Sequence, residues 1–159
     1  MRISRHNMFM EIARVVAQRG TCPRLCVGAV VVLDGKHIVA HGYNGAPSKQ
    51  PHCTDVGCLL SPTGACIRTI HAEINALKTA SSIDYDDDAP DLTLYVTHSP
   101  CKDCAEVIVS YGVRAVYFET PYRSADGLSH LADNGIKIFR VMPNGYIIEG
   151  TEGKLIEAD

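Results

Sequence analysis

The seven cysteines of this 159-residue chain are confined to three short stretches. They lie between residues 22 and 26, between 53 and 66, and between 101 and 104. An odd number of cysteines cannot all pair as disulfides, and disulfides are uncommon in reducing compartments. Clustered thiols in a chain of this kind therefore indicate metal binding or catalysis, and the clustering indicates two sites.

Bulk composition limits the kind of partner that the chain can bind. Lys and Arg total 15 against 18 for Asp and Glu, so the formal net charge is −3 and a polynucleotide partner is not expected. A small anionic ligand remains compatible with this charge. Glu11 and Arg14 interrupt the first apolar run, so we expect neither a signal peptide nor a membrane span. The expected location is the cytosol, and residues 1–159 are expected to form one domain.

The spacing of apolar residues predicts an alternation of helices and strands. Helices are predicted over residues 7–18, 71–80, 101–111 and 125–133, and strands over residues 27–33, 37–42, 92–96, 114–118 and 136–141. This order predicts an α/β fold, a mixed sheet with helices on its faces. Residues 44–69 lack periodicity and are too many for an ordinary loop, so something other than an apolar core should hold them.

Two separated motifs carry the chemistry. His71-Ala72-Glu73 is followed by Pro100-Cys101-Lys102-Asp103-Cys104, which gives H-x-E and then P-C-x-x-C. Together these form the signature of zinc deaminases. His71, Cys101 and Cys104 supply three protein ligands, which leaves the fourth tetrahedral position for the water that a catalytic zinc requires. Pro100 suits a helix start, and the two cysteines are spaced so that both sulfurs can reach one ion.

Glu73 has a different predicted role from its neighbour His71. A carboxylate there can take a proton from the water, give one to ring N3 of cytosine and later protonate the departing ammonia. Each motif has an ordinary interpretation when taken alone. H-x-E is a common helix fragment, and P-C-x-x-C also occurs in redox sites and as half of a structural zinc site. Their occurrence together and in this order favours the catalytic zinc.

The remaining cysteines predict a second, structural zinc. Cys22, Cys53, Cys58 and Cys66 would supply four thiolates to the irregular segment, and His52 is a reserve ligand. The alternative is four reduced, partly buried thiols. Cys26 enters an apolar strand and is predicted to be a core residue.

Several longer motifs carry a resemblance to a known family. They are VGAVVV at 27–32, GYNGAP at 42–47, HC-x-x-x-GC at 52–58, CIRTIHAEINAL at 66–77, YVTHSPCKDCA at 95–105 and PYR at 121–123. With these motifs the chain resembles the cytidine deaminase-like superfamily and, within it, the deoxycytidylate (dCMP) deaminases, including those of bacteriophages. The resemblance implies a three-layer α/β/α fold with a five-stranded sheet and a homohexamer. It also implies deamination of dCMP to dUMP and ammonia, which supplies dUMP for thymidylate synthesis, in the host cytoplasm if the chain is encoded by a phage.

The resemblance also implies substrate contacts. Asn44 corresponds to a family residue near the substrate sugar, and Tyr122 corresponds to a tyrosine that contacts the substrate. Arg123 and Arg24 are our candidates for phosphate contacts, and their alternative is a pair of solvated surface arginines. His98 is expected to line the pocket.

Regulation is a further implication of the resemblance. It implies activation by dCTP and inhibition by dTTP, with Mg²⁺ accompanying the triphosphates. The effector pocket is expected at the GYNGAPS loop and neighbouring subunits. Gly42 and Gly45 in that loop would allow close backbone approach to a ligand.

Three other functions compete with this one. A deaminase of adenosine in tRNA would share the zinc residues but should carry a basic face, which a net acidic chain does not favour. A deaminase of free cytidine usually has cysteine where this chain has His71. A non-catalytic zinc module would need a fourth protein ligand beside Cys104, and the sequence offers no obvious one.

Overall fold

A computed structural model of the chain describes residues 2–86, 88–150 and 154–156. Its helices are α1 (Arg5–Ala17), α2 (Cys53–Val56), α3 (Ala72–Ala80), α4 (Lys102–Ser110) and α5 (Asp126–Asp133). Its strands are β1 (Gly28–Leu33), β2 (His37–Tyr43), β3 (Leu92–His98), β4 (Ala115–Thr120), β5 (Lys137–Val141), β6 (Ile147–Glu149) and β7 (Lys154–Ile156). Within the described residues these strands form one sheet in the order β2-β1-β3-β4-β5-β6-β7.

The sheet is mixed, as the sequence predicts. β1 pairs antiparallel with β2 and β3, whereas β3, β4 and β5 are parallel. Parallel neighbours need crossover connections, which α4 and α5 supply. The predicted fold class is confirmed, but the expected number of five strands is wrong, because the antiparallel strands β6 and β7 extend the sheet. Each has three residues, too few to produce a periodic pattern in the sequence.

Alternation along the central strands creates a core on each face of the sheet. Val30 and Val32 of β1 pack on the face that α1 covers, where Phe9 and Met10 are almost completely buried. Val31, between them, joins the opposite core, which contains the buried residues of α3, α4 and α5. Full burial of such a side chain contributes about 1.5–3 kcal/mol. The two cores therefore fix where the helices lie on the sheet.

No helix in the described part of the chain combines the length and the apolar character needed to cross a membrane.

The helices α3 and α4 begin one residue later than predicted. His71 and Cys101 are their N-cap residues and have extended backbones, with ψ angles of 153° and 170°. A cap residue lies half outside the helix, so its side chain can project past the helix end. Both residues are candidate metal ligands, and the cap positions let them face a common point.

Two glycines permit unusually close packing near these helix starts. A Cβ on Gly127 of α5 would lie 2.0 Å from the carbonyl oxygen of Pro100, directly before α4. A Cβ on Gly42 would lie 2.5 Å from the backbone oxygen of Ala72 in α3. The expectation that Gly42 leaves room for a ligand is therefore corrected, because α3 occupies that space.

The segment 44–69 has little regular structure, as its lack of periodicity predicts. It contains the four-residue helix α2 and isolated bridges from Gly45 to Ile70 and from Leu60 to Cys66. Leu59, Leu60 and Ile67 are 50%, 51% and 61% exposed. Hydrophobic burial therefore does not hold this part of the segment.

Candidate metal centre and active site

The two sequence motifs converge at the starts of α3 and α4. His71 Nδ1 lies 3.2 Å from Cys104 Sγ and 3.6 Å from Cys101 Sγ. The three potential ligand atoms all lie within 4.8 Å of one another. The structure thus brings together the three residues predicted to bind the catalytic zinc, which are called here the three-residue cluster.

The spacing of these atoms fits a zinc ion. Zinc–sulfur and zinc–nitrogen bonds in a tetrahedral site place N and S ligand atoms about 3.6 Å apart. The observed separations of 3.2 and 3.6 Å are close to that value. One imidazole and two thiols also form the donor set of known catalytic zinc sites. The residues present therefore fit the ion.

The electrostatic environment favours thiolate at Cys101 and opposes it at Cys104, because the hydrogen bond with Cys101 and burial raise the pKa of Cys104. The neighbouring Cys104 thiol and the His71 ring lower the pKa of Cys101 to about 4, against an opposing effect of burial. Cys101 in turn raises the pKa of His71 to about 8. The N-terminal ends of α3 and α4 carry partial positive charge, which stabilises negative charge on a cap residue such as Cys101.

Glu73 lies beside the cluster but is not part of it. It is the second residue of α3 and is only 4% exposed. Among the described residues, the ligand atoms that group here are those of His71, Cys101 and Cys104. Burial raises the pKa of the Glu73 carboxyl, and a hydrogen bond with Cys104 opposes this shift. A carboxyl group with a raised pKa is suited to exchanging protons near neutral pH.

A cavity of about 290 Å³ opens onto the cluster. Its lining includes His71, Glu73 and Cys101. The predicted substrate contacts also line it, and these are Asn44, Tyr122, Arg123, Arg24 and His98. The structure therefore brings all the residues proposed for substrate binding to one cavity.

Asn44 is buried and already has backbone partners. Its Oδ1 accepts a hydrogen bond from Val27 N at 2.7 Å, and its Nδ2 donates to Leu25 O at 2.7 Å. Asn44 therefore positions the segment before β1 and also lines the cavity.

The other side of the cavity depends on a residue that sequence reasoning missed. Ser99 is buried, and its Oγ accepts a hydrogen bond from Tyr122 N at 2.7 Å. This bond sets the position of the Tyr122-Arg123 pair, in which the guanidinium lies 5.4 Å from the ring centroid. A small polar residue directly before the P-C-x-x-C motif was the available signal for Ser99.

The other four predicted ligands also come together. Cys22 Sγ lies 3.7 Å from Cys58 Sγ, and Cys53 Sγ lies 3.6 Å from Cys66 Sγ. A tetrahedral zinc with four thiolates places sulfur atoms about 3.8 Å apart. Burial opposes ionisation of Cys66, but hydrogen bonds from the backbone of Arg68 and from Cys53 together lower its pKa to about 7. Burial and the hydrogen bond with Cys66 raise the pKa of Cys53 to about 12. The spacing and type of the four donors fit zinc, and this group is called here the four-cysteine cluster.

Two sequence predictions near this cluster need separate comment. Cys26 is exposed, so its prediction as a core residue is wrong. It lies before β1 begins at Gly28, and thus outside the buried strand. His52, the reserve ligand, is exposed at the N-cap of α2 and lies outside the cluster of sulfur atoms.

Most of the GYNGAPS loop borders a different cavity of about 550 Å³. Lys49 and Lys78 contribute cationic groups to its lining, and Asn75 of α3 also lines it. Asn75 Nδ2 donates a hydrogen bond to Tyr43 O at 2.9 Å. This cavity therefore contacts the same helix that carries Glu73.

Comparisons with known proteins agree with this geometry. The profile of the cytidine and deoxycytidylate deaminase zinc-binding region matches residues 3–120. ComE operon protein 2 of Bacillus subtilis (strain 168) is 42% identical over 149 residues, covering 93% of this chain and 77% of that protein. The deoxycytidylate deaminase of Mycobacterium phage D29 is 37% identical over 121 residues, covering 69% of this chain and 90% of the phage protein.

A solved structure of similar sequence shares the fold of this chain. The dCMP deaminase of the cyanophage S-TIM5, crystallised with dCMP and dUMP, superposes with a TM-score of 0.72 and 36% identity. The match covers 84% of this chain and 94% of the cyanophage chain. With the zinc-binding region matched over residues 3–120 and both motifs converging on one cavity, the chain belongs to the cytidine and deoxycytidylate deaminase family.

Proposed function

We propose that this protein is a zinc-dependent deaminase that converts dCMP to dUMP and ammonia. The observation that carries the proposal is the convergence of His71, Cys101 and Cys104 on a cavity that Glu73 also lines. Relatives named deoxycytidylate deaminase, and a cyanophage dCMP deaminase crystallised with dCMP and dUMP, support the choice of substrate.

The residues of the three-residue cluster would hold the catalytic zinc. A zinc ion bound there would lower the pKa of a water molecule and so supply a nucleophile at neutral pH. Glu73, buried beside the cavity, takes one proton from the attacking water, whose oxygen bonds to C4 of cytosine, and delivers that proton to ring N3. The same carboxylate then takes the second proton of that oxygen and gives it to the amino group, so the bond between C4 and the amino nitrogen breaks, ammonia departs and C4 becomes the carbonyl carbon of uracil. The raised pKa of the Glu73 carboxyl makes both directions of transfer accessible.

Substrate recognition is assigned to the cavity lining. Arg24 and Arg123 are proposed to contact the phosphate, Tyr122 to contact the nucleotide and Asn44 to lie near the sugar. All four line the cavity that contains Glu73. Two guanidinium groups at one cavity fit an anionic monophosphate better than a neutral nucleoside.

Two observations disfavour the competing functions. Action on tRNA would need a basic face, and the chain has a net charge of −3. A non-catalytic zinc module would need a fourth protein ligand, and within the described residues the three-residue cluster has none.

A substrate panel tests the proposal. Ammonia release is measured with dCMP, deoxycytidine, dCTP and an adenosine-containing tRNA stem-loop. We expect the highest kcat/KM with dCMP. Turnover of deoxycytidine at equal efficiency would contradict the phosphate assignment, and absence of ammonia release from every substrate would contradict the proposed activity.

A second, structural zinc at the four-cysteine cluster is also proposed. It is supported by sulfur separations of 3.6 and 3.7 Å and by the exposure of the surrounding apolar residues. Four reduced thiols without metal are the alternative. Metal analysis of fully loaded protein should give two zinc ions per chain, and a value of one would contradict this site.

Effector control is proposed for the cavity that borders the GYNGAPS loop. Lys49 and Lys78 give it a cationic lining suited to the phosphates of dCTP or dTTP with Mg²⁺. Because Asn75 lines this cavity and belongs to α3, effector binding can bias the helix that carries Glu73. Initial rates against dCMP should be sigmoidal, become hyperbolic with dCTP and shift to higher dCMP with dTTP. Hyperbolic rates that neither triphosphate alters would contradict it.

A homohexamer, one domain over residues 1–159 and a cytoplasmic location complete the proposal. Seven cysteines without a disulfide among the described residues fit a reducing compartment. Sedimentation equilibrium should give six times the mass of one chain, and a monomer would contradict the hexamer.

A further inference from the structure

The two clusters border the same cavity. Cys22 and Cys66 of the four-cysteine cluster line it together with His71 and Cys101 of the three-residue cluster. Arg24 and Gly64, which are neighbours of these two cysteines in the chain, line it as well. The segments that hold the second cluster therefore also form a wall of the catalytic cavity.

Hydrogen bonds hold each segment of this wall, such as those from Asn44 Nδ2 to Leu25 O and from Ile67 N to Leu59 O. Arg24 donates a hydrogen bond to Gly64 O at 2.8 Å, which joins its two segments. Leu59, Leu60 and Ile67, which flank the second segment, are half or more exposed and provide little packing. The sulfur contact of Cys22 with Cys58 joins residues 36 positions apart in the chain, and that of Cys53 with Cys66 joins residues 13 positions apart. A metal at this cluster would therefore tie Cys22, and with it the neighbouring Arg24, to the segment that holds Cys58 and Cys66.

The catalytic residues are restrained in another way. Ala72 at the start of α3, and Cys104 and Ala105 of α4, are completely buried in the core on the sheet. The positions of His71, Glu73 and Cys101 therefore depend on the sheet rather than on the wall.

We propose that the four-cysteine cluster, once it holds metal, sets substrate affinity by positioning Arg24 at the cavity. Cys22, Cys53, Cys58 and Cys66 are thus positioning residues for the phosphate end of the substrate. The inference rests on the proposed deamination of dCMP and on the second zinc. An interaction that is equally strong in the ground state and in the transition state changes KM and leaves kcat unaltered. Loss of the cluster should therefore raise KM more than it lowers kcat.

The substitution Cys58→Ser tests this, because Cys58 is a cluster member that does not line the cavity. We expect zinc content to fall from two ions to one per chain. The KM for dCMP and the calorimetric Kd for dUMP should rise about tenfold, the effect of losing a hydrogen bond to a charged group. The kcat should change less than about threefold. Cys26→Ser is the matched control, since Cys26 is exposed and lies outside both clusters.

A double-mutant cycle shows whether the effect passes through Arg24. Arg24→Gln should raise the Kd for dUMP about tenfold in the natural protein and much less in the Cys58→Ser background. Additive effects of the two substitutions would overturn the proposal. Retention of two zinc ions by Cys58→Ser, or loss of one ion with an unchanged Kd, would overturn it as well.

Two further measurements distinguish failure of this proposal from misfolding and from failure of the proposed function. If Cys58→Ser does not fold, Cys58→His supplies an alternative ligand, and its Kd for dUMP should follow its zinc content. Constant affinity across partly loaded samples would contradict the proposal. Failure of the proposed function is distinct, because the natural protein would then release no ammonia from dCMP.

Discussion

Both clusters place thiol groups where they could bind a metal ion, but very different parts of the fold hold them. The three-residue cluster lies on the capped starts of α3 and α4, which are packed on the sheet. The four-cysteine cluster lies in a segment with one short helix and exposed apolar residues. In the three-residue cluster, packing of the helices on the sheet positions the side chains without any metal. In the four-cysteine cluster, a bound metal would have to hold the surrounding segment in place.

The two clusters also differ in the number of protein ligands that they offer to a metal ion. Three protein ligands beside a cavity leave a coordination position for chemistry, whereas four thiolates close the coordination sphere. The comparison therefore predicts that damage to the first cluster affects activity most, and that damage to the second affects stability and substrate affinity. The following substitutions examine this division, from the largest expected effect to the smallest.

Cys104→Ser should abolish activity. Cys104 is completely buried in α4 and is one of the three proposed ligands, so its loss should remove zinc from the three-residue cluster. Zinc analysis should fall from two ions to one while circular dichroism stays close to that of the natural protein. Substantial deamination by a folded protein with one zinc would break the comparison.

Glu73→Gln should lower kcat by about 10³–10⁴-fold with both zinc ions retained, because the carboxyl is proposed to move protons and lies outside the group of potential metal ligands. Steady-state ammonia release and metal analysis of the same sample check this. Glu106→Gln on the exposed side of α4 is the control and should leave kcat and zinc content unchanged. Near-normal turnover in Glu73→Gln would contradict the mechanism.

Gly127→Ala should lower kcat by about 10²-fold. Its Cβ would lie 2.0 Å from Pro100 O, so α5 must move or displace the start of α4 that carries Cys101. A misplacement of about 1 Å at a catalytic group has an effect of this size. Ser129→Ala, on the exposed part of the same helix, is the matched comparison. Equal rates for the two variants would show that α5 does not support the cluster.

Cys53→Ser should lower Tm by about 10 °C, which corresponds to roughly 3 kcal/mol in a protein of this size. Cys53 is 2% exposed and belongs to the cluster that restrains residues 44–69. Trypsin should then cleave faster after Lys49, which is exposed, and after Arg68, which is half-buried. If Cys104→Ser lowers Tm by the same amount and exposes the same cleavage sites, the two clusters do not differ as proposed.

Cys26→Ser should change the free energy of unfolding by less than about 0.5 kcal/mol, as expected for an exposed position. Zinc content should stay at two ions per chain. A large loss of stability or of zinc would mean that Cys26 has a role that the cluster geometry does not explain.

The motifs alone determined much of this protein. H-x-E and P-C-x-x-C predicted a site at His71, Glu73, Cys101 and Cys104, and the structure brings these four residues together. The prediction was possible because their spacing follows the start of a helix, which is a local property. The spacing of apolar residues likewise predicted the sheet and its helices. The short strands β6 and β7 were missed, since three residues carry no periodicity.

Only the tertiary structure decided which distant residues meet. The contact of Cys22 with Cys58 spans 36 residues, and the bond from Tyr122 to Ser99 spans 23. Nothing in the local sequence shows that Gly127 packs on Pro100, or that both clusters border one cavity. The exposure of Cys26 was likewise set by where β1 begins. Local patterns fix which conformation a segment prefers, whereas burial and convergence depend on how all segments pack at once.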